Sequence, residues 1–364
     1  MAFLKNLFNK KESSVQSNSE FWEWFSANEK SFAKAIKKAD NIEKEFFNKI
    51  APKLNQLKEG VWFLAGINDE NQSELILTPD GVIENIVFVE ELVNASPRIP
   101  NWNFIALKPA LDIENVSIEM SGYSFTGANI SFYANEHTYY PDEIDLEVVY
   151  HDYNEEDKSL IVNGIYIFLD NFLGELNSVT TIDNLKVISK SEAQKELIPI
   201  AKLKAFLIWR EKEFVEKYQG VTKDTENDNF GTFEATMEND LPLLAVINSD
   251  LLNWDSKASH PWVLTVSIKY NGDESNGMPD SETYQVLNDI EDQILIDLKD
   301  YYGYLNVGRQ TADSVREIYF ACVDFRKPAK VLHSVQKLYK ERIEINFEIY
   351  KDKYWQSFNR FNRS

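Results

Sequence analysis

The chain has 364 residues, with 38 Lys and Arg against 59 Asp and Glu, hence a formal charge of −21 at pH 7. Its 43% hydrophobic and 13% aromatic content supplies packed cores, and its length exceeds what one core usually holds, which argues against a disordered chain, a fibrous repeat or one small domain. Acidity of this size repels nucleic-acid phosphates and attracts basic proteins, so direct DNA or RNA binding is set aside.

The charge is uneven. Residues 221–300 hold 4 basic and 17 acidic side chains, hence −13, whereas residues 301–364 hold 12 basic and 7 acidic, hence +5. The single cysteine, Cys322, leaves no internal disulfide and fits a reducing, cytoplasmic setting. No stretch approaches the roughly 20 apolar residues a bilayer span needs. The best candidate, Leu160 to Leu173, is broken by Asn163, Gly164, Asp170 and Asn171. Residues 1–19 read as a flexible basic terminus, with a short membrane-surface helix as the alternative.

In chain order, Phe21 to Leu57 reads as helix. Phe32, Ala35, Ile36, Ala39, Ile42, Phe46 and Ile50 recur at three- and four-residue steps and make one apolar stripe. After Gly60 the period becomes that of strands: Val61–Ala65 and Glu74–Thr78 flank a polar turn in a hairpin pattern. A helix is predicted over Ile83–Ala95, ended by Pro97 and Pro100, followed by strands at Trp102–Leu107, Asn115–Glu119, Asn129–Tyr133 and Ile144–Tyr150. A helix capped by Asp157 or Ser159 runs to about Leu176, strands close the module over Thr180–Ser189, and Leu197–Tyr218 forms a linking helix.

The second module is the clearer. A hairpin of Asn229–Met237 and Leu243–Ile247 precedes a strand at Trp262–Tyr270 and a helix over Asp280–Lys299. The predicted buried face of that helix is Tyr284, Leu287, Ile290, Ile294, Leu295 and Leu298. Strands at Tyr301–Val307 and Val315–Val323, a helix at Pro328–Lys340 and a strand at Arg342–Tyr350 complete the order. From Trp262 onward this is β-α-β-β-α-β, a ferredoxin-like pattern. The fold class is therefore α+β in two modules: a helical arm with a mixed sheet over 20–220 and a ferredoxin-like module over 221–364. Residues 61–189 alternate in a similar way, which leaves an internal duplication open.

Chemistry leaves few marks. The sequence lacks a phosphate-binding loop, a dinucleotide fingerprint, a nucleophile elbow and a zinc-protease helix. His137, His151, His260 and His333 stand apart from one another and from Cys322, so neither a metal nor a cofactor is expected. Cys322, in an alternating strand, reads as a small core residue. Asn271, Asp273, Ser275 and Glu282 match part of a calcium loop, but Asn276 takes the place of its glycine and Pro279 its ninth position, so a solvated loop explains them better.

Four pieces carry a family resemblance: Leu244-Ala-Val-Ile-Asn248, His260-Pro-Trp-Val-Leu-Thr-Val266, Asn276-Gly-Met-Pro279 leading to Leu287-Asn-Asp-Ile-Glu-Asp292, and Val307-Gly-Arg309 followed by Arg316-Glu-Ile-Tyr-Phe320. From about Phe230 to Phe325 the chain resembles a bacterial family known only as domain of unknown function 695. The resemblance implies a fold similar to that of the regulator of ribonuclease E activity B, an acidic protein that inhibits an RNase by binding it, and implies no activity. The expectation is a non-enzymatic binding or regulatory protein that meets a basic protein partner through Asp273, Glu274, Asp280, Glu282, Asp289, Glu291 and Asp292. One alternative is an immunity or defence-associated protein. Another is an enzyme with a cleft between the modules around Trp254, His260, Arg309 and Arg316. The basic arm and tail suggest docking onto the acidic modules of the same chain or of a second copy.

Overall fold

The computed structural model describes residues 14–38 and 41–361, so Ala39 of the helical stripe and most of the expected flexible terminus lie outside the described residues. Helix α1 (Asn18–Lys38) and α2 (Asn48–Leu57) replace the single predicted helix. The chain breaks between them at Asn41, whose φ of +53° is left-handed, before one wide turn over Glu43–Phe47. Strands β1 (Trp62–Ile67) and β2 (Ser73–Thr78), helix α3 (Ile83–Asn94) and strand β3 (Trp102–Ala106) follow.

Next come β4 (Ser117–Met120), β5 (Tyr123–Thr126), β6 (Ile130–Asn135) and β7 (Asp145–Tyr150). Helices α4 (Lys158–Leu173) and α5 (Glu175–Thr180) are separated by Gly174, whose φ is +81°. Strands β8 (Asn184–Ser189) and β9 (Ile198–Pro199) lead to α6 (Leu203–Tyr218), which starts six residues later than the periodicity predicts because Pro199 and a short turn precede it. Asn154, rather than Asp157 or Ser159, caps the turn that enters α4.

The last stretch holds β10 (Phe230–Thr236), β11 (Pro242–Asn248), α7 (Ser249–Leu252), β12 (Trp262–Lys269) and α8 (Ser281–Asp297). It ends with β13 (Tyr304–Ala312), β14 (Val315–Cys322), α9 (Arg326–Tyr339), β15 (Glu344–Lys351) and a 3-10 turn over Gln356–Phe361.

The chain separates into two compact units. The first is everything described up to Ala110 together with Gly174–Leu176; the second is Leu111–Leu173 together with the described residues from Asn177. In the first, β1-β2-β3 form a three-stranded sheet in which β2 and β3 run parallel. The aromatic stripe of α1 is core: Phe21, Phe25 and Phe32 are fully buried, and Trp22 packs edge-on to Phe104 while its indole N–H donates to the Leu92 carbonyl at 2.6 Å. Glu175 is buried too, its carboxylate accepting from the Thr78 hydroxyl and from the Gly81 and Lys108 backbone N–H groups.

The second unit holds two larger sheets, one built from strands before residue 200 and one from strands after residue 229. The first has order β8-β7-β6-β9, and α4 lays Ile161, Ile165 and Phe168 against Phe132, Leu146 and Val148. The second has order β10-β11-β13-β14-β12-β15. Read from β12, its last four strands stand in the order fourth, first, third, second, all antiparallel, which is the ferredoxin-like arrangement predicted, with the β10–β11 hairpin added along β13. No second sheet of that order exists among the described residues; the strands of 61–189 are shared among three sheets, two of them with parallel pairs, so they do not repeat this plan.

Alternation assigns the two faces of the six-stranded sheet. Val263, Leu305, Tyr319 and Ala321 pack on one side with Trp355, Phe358 and Phe361 of the C-terminal turn. Their neighbours in the strands, among them Leu264, Phe320 and Cys322, face the other side, where α8 and α9 lie. Cys322 is fully buried there and burial pushes its thiol well up, as suits a core residue and not a nucleophile.

Candidate functional site

Helix α8 is positioned by its cap. Asp280 sits in extended backbone and its carboxylate accepts the Thr283 N–H at 2.8 Å, which holds the acid below its usual range. From that start, Leu287, Ile290 and Ile294 point into the sheet. The opposite stripe carries Glu282, Asp289 and Asp292, all exposed, at seven- and three-residue steps. Asp273 and Glu274, in the short turn ahead of the helix, are exposed as well. No Lys or Arg of the described chain pairs with any of these five carboxylates. Several acids elsewhere are matched: Asp142 by Lys217, Asp183 by Lys351 and Lys353, and Asp228 by Lys223.

Beside the first turn of α8 lies an open groove of about 570 Å³, bordered by Glu282, Thr283 and Val286 of the helix, Lys269 and Tyr270 at the end of β12, and Arg342. The Tyr270 hydroxyl donates to the Gly277 carbonyl and closes the loop at the groove's end. Burial raises that phenol to about 12. Asn276, with φ +52°, turns the loop where a calcium loop would carry its glycine. Among the described residues no group of three or more His, Cys, Asp or Glu side chains is placed to hold a metal ion.

Glu291 leaves the acidic surface. It is buried, and its carboxylate accepts from Arg309 at 3.0 Å and from Asn306 at 3.2 Å. Next to it Arg316, also buried, donates to Thr311 at 3.1 Å and Asn288 at 2.9 Å and stacks over Tyr284 at 5.1 Å. Burial, with Arg309 close by, lowers the Arg316 guanidinium. The seven-residue acidic set is thus divided by the helix period: six stay on the outside and the seventh pins α8 to β13. Tyr284, predicted for the buried face, stands at the helix edge, 43% exposed.

The four residues proposed for a cleft do not meet. Arg309 and Arg316 lie under α8. Trp254 packs with Trp355 and Val263 on the opposite side of the sheet, and His260 is fully buried against the edge of the Trp254 ring at 5.3 Å. The His260 carbonyl accepts from the Trp355 indole, while its Nε2 has no partner and burial pushes the imidazole down to about 4.

One charged cluster went unpredicted. Asp183 accepts from the Ile144 N–H and from Lys353 at 2.8 Å, and lies 3.0 Å from Lys351; all three side chains are nearly closed to water. Lys353 also donates to the Asp142 carbonyl, and the Asp142 carboxylate accepts from Lys217, Tyr218 and Tyr354. These bonds tie the end of β15 to the residues around β7 and β8. The signal for it was Lys351-Asp352-Lys353 at the end of a strand, where both lysines turn inward.

Residues 228–361 match the model of a family described as "Family of unknown function (DUF695)". No curated protein matches the chain, and no solved structure does. The DUF695 match covers the six-stranded sheet, α7 to α9 and the C-terminal turn, reaching further at its end than the resemblance read from the sequence. Among the described residues no helix is long and apolar enough to cross a membrane.

Proposed function

We propose that the DUF695 segment is a protein-binding or regulatory module that receives a basic partner along α8. The observation that supports this reading is the outer stripe of Glu282, Asp289 and Asp292. It is exposed and has no cation partner among the described residues, whereas the inward Glu291 is matched by Arg309. The groove at the first turn gives a partner's chain a place to lie beside Glu282. Such a surface steers a basic partner into register and loses hold of it as salt screens the field.

The test compares the whole chain with the triple variant Glu282→Gln, Asp289→Asn, Asp292→Asn in a native pull-down at low and high salt, read by quantitative mass spectrometry. A basic protein enriched at low salt and released at high salt is the expected result. Each lost carboxylate should weaken capture roughly two- to threefold, so that the triple variant loses about tenfold. Capture unchanged in the variant, or indifferent to salt, rejects the α8 surface as the interface.

A further inference from the structure

The sheet face turned away from α8 carries a second feature. Thr265, on β12 between β14 and the edge strand β15, stands opposite Tyr319 on one side and Glu348 on the other. A small residue between two large ones leaves a slot, and Glu317, two residues from Tyr319, and Tyr350, two from Glu348, extend its walls. The C-terminal turn closes one end with Ser357 and Arg360. The resulting pocket is an open depression of about 410 Å³, within the range of roughly 300–1,000 Å³ usual for small-ligand sites.

The hydrogen-bond ledger of this slot is lopsided. Arg360 turns two of its five N–H donors to the wall, one to the Ser357 carbonyl at 3.0 Å and one to the Tyr319 hydroxyl at 2.9 Å. The Tyr319 hydroxyl in turn donates to Glu317 Oε2 at 2.7 Å, and Gln310 reaches the same oxygen at 3.4 Å. Among the described residues nothing donates to Glu317 Oε1 or to the exposed Glu348 carboxylate. Ser357 Oγ is shut from solvent with no partner. Two carboxylates against one guanidinium leave the slot one negative charge, with acceptors unused on Glu317 and Glu348, and the Tyr350 ring borders the same space. A ligand that satisfies it must bring a positive charge and several N–H donors on a body that lies against an aromatic face.

We propose that this slot binds a guanidinium or primary ammonium group carried on an alkyl chain, held between Glu317 and Glu348 with the chain along Tyr350. The site is separate from the α8 stripe, because alternation along the strands puts the two on opposite sides of the sheet, so either can stand without the other. A cationic side chain of a protein and a free alkylamine share the chemistry.

The experiment is an NMR titration of the full chain with n-butylguanidinium and n-butylammonium, n-butanol as the uncharged control, and a capped Gly-Gly-Arg-Gly-Gly peptide. Saturable shifts confined to Thr265, Glu317, Glu348 and Ser357 are expected with the cations, and none with n-butanol. Glu348→Gln, an exposed and near-isosteric change, should weaken cation binding about tenfold while leaving thermal unfolding unaltered. Tighter binding of the peptide than of n-butylguanidinium assigns the slot to a protein side chain; equal or weaker binding assigns it to a free amine. No saturable shift with either cation, equal shifts with n-butanol, or undiminished binding in Glu348→Gln overturns the proposal.

Discussion

His260 makes the stability of this protein depend on pH in a way that can be worked out beforehand. Ser259 Oγ carries one hydrogen and donates it to the Ser256 carbonyl at 2.6 Å, so at 2.8 Å it accepts from His260 Nδ1–H. Nε2 then holds a bare lone pair, buried and unpartnered beside Trp254. Protonating it would leave an N–H and a charge in an apolar wall, which is why the imidazole falls from 6.5 to about 4. Between those values the unfolded chain binds a proton that the folded chain refuses. Stability from this residue is therefore complete above pH 6.5 and is lost as pH falls toward 4, by ~3 kcal/mol in all.

The perturbation is His260→Leu, close in volume, which gives up the bond to Ser259 at a pH-independent cost of about 1 kcal/mol. Urea unfolding from about pH 7 to about pH 4 is the assay, since it returns a free energy at each pH. Carboxylates titrate in the same range in both proteins, so the readout is the difference between the two curves. The variant should start less stable and lose less, the gap narrowing and then reversing toward acid. Parallel curves would refute a buried neutral His260 as the source.

Two further outcomes follow from the same sheet and its neighbour. Asp183→Asn removes the negative charge shared by Lys351 and Lys353 and should cost about 3–5 kcal/mol in thermal unfolding, because two buried ammonium groups are left facing only carbonyls and an amide. Burial already lowers Lys351 below 10.5, so the folded variant releases its proton before the unfolded chain does, and its deficit should shrink as pH rises toward 10.5; a deficit that stays constant or grows refutes this. Gly308, with φ +137° at the bulge of β13, would put a Cβ 2.3 Å from the Val246 carbonyl oxygen. Gly308→Ala should therefore separate β11 from β13, at a cost of at least ~3 kcal/mol, seen as faster hydrogen exchange in β10 and β11; unchanged protection would contradict the clash.

Local pattern determined much of this fold by itself. Apolar period located the longer helices though not their breaks, and alternation with turn residues gave the order β-α-β-β-α-β from Trp262, because both follow from how side chains leave a backbone of given geometry. Cys322 was legible as core for the same reason. The acidic stripe of α8 was legible as composition, and the helix period placed Glu282, Asp289 and Asp292 on one side. That Glu291 belongs with Arg309 and not with the stripe was settled only when β13 came to lie beneath the helix. The slot over Thr265 depends on the register of three strands that are distant in sequence, and the Asp183–Lys351–Lys353 cluster joins groups some 170 residues apart. Pairing across such distances is decided by which surfaces can be buried together, and a single sequence records the residues but not the register that brings them into contact.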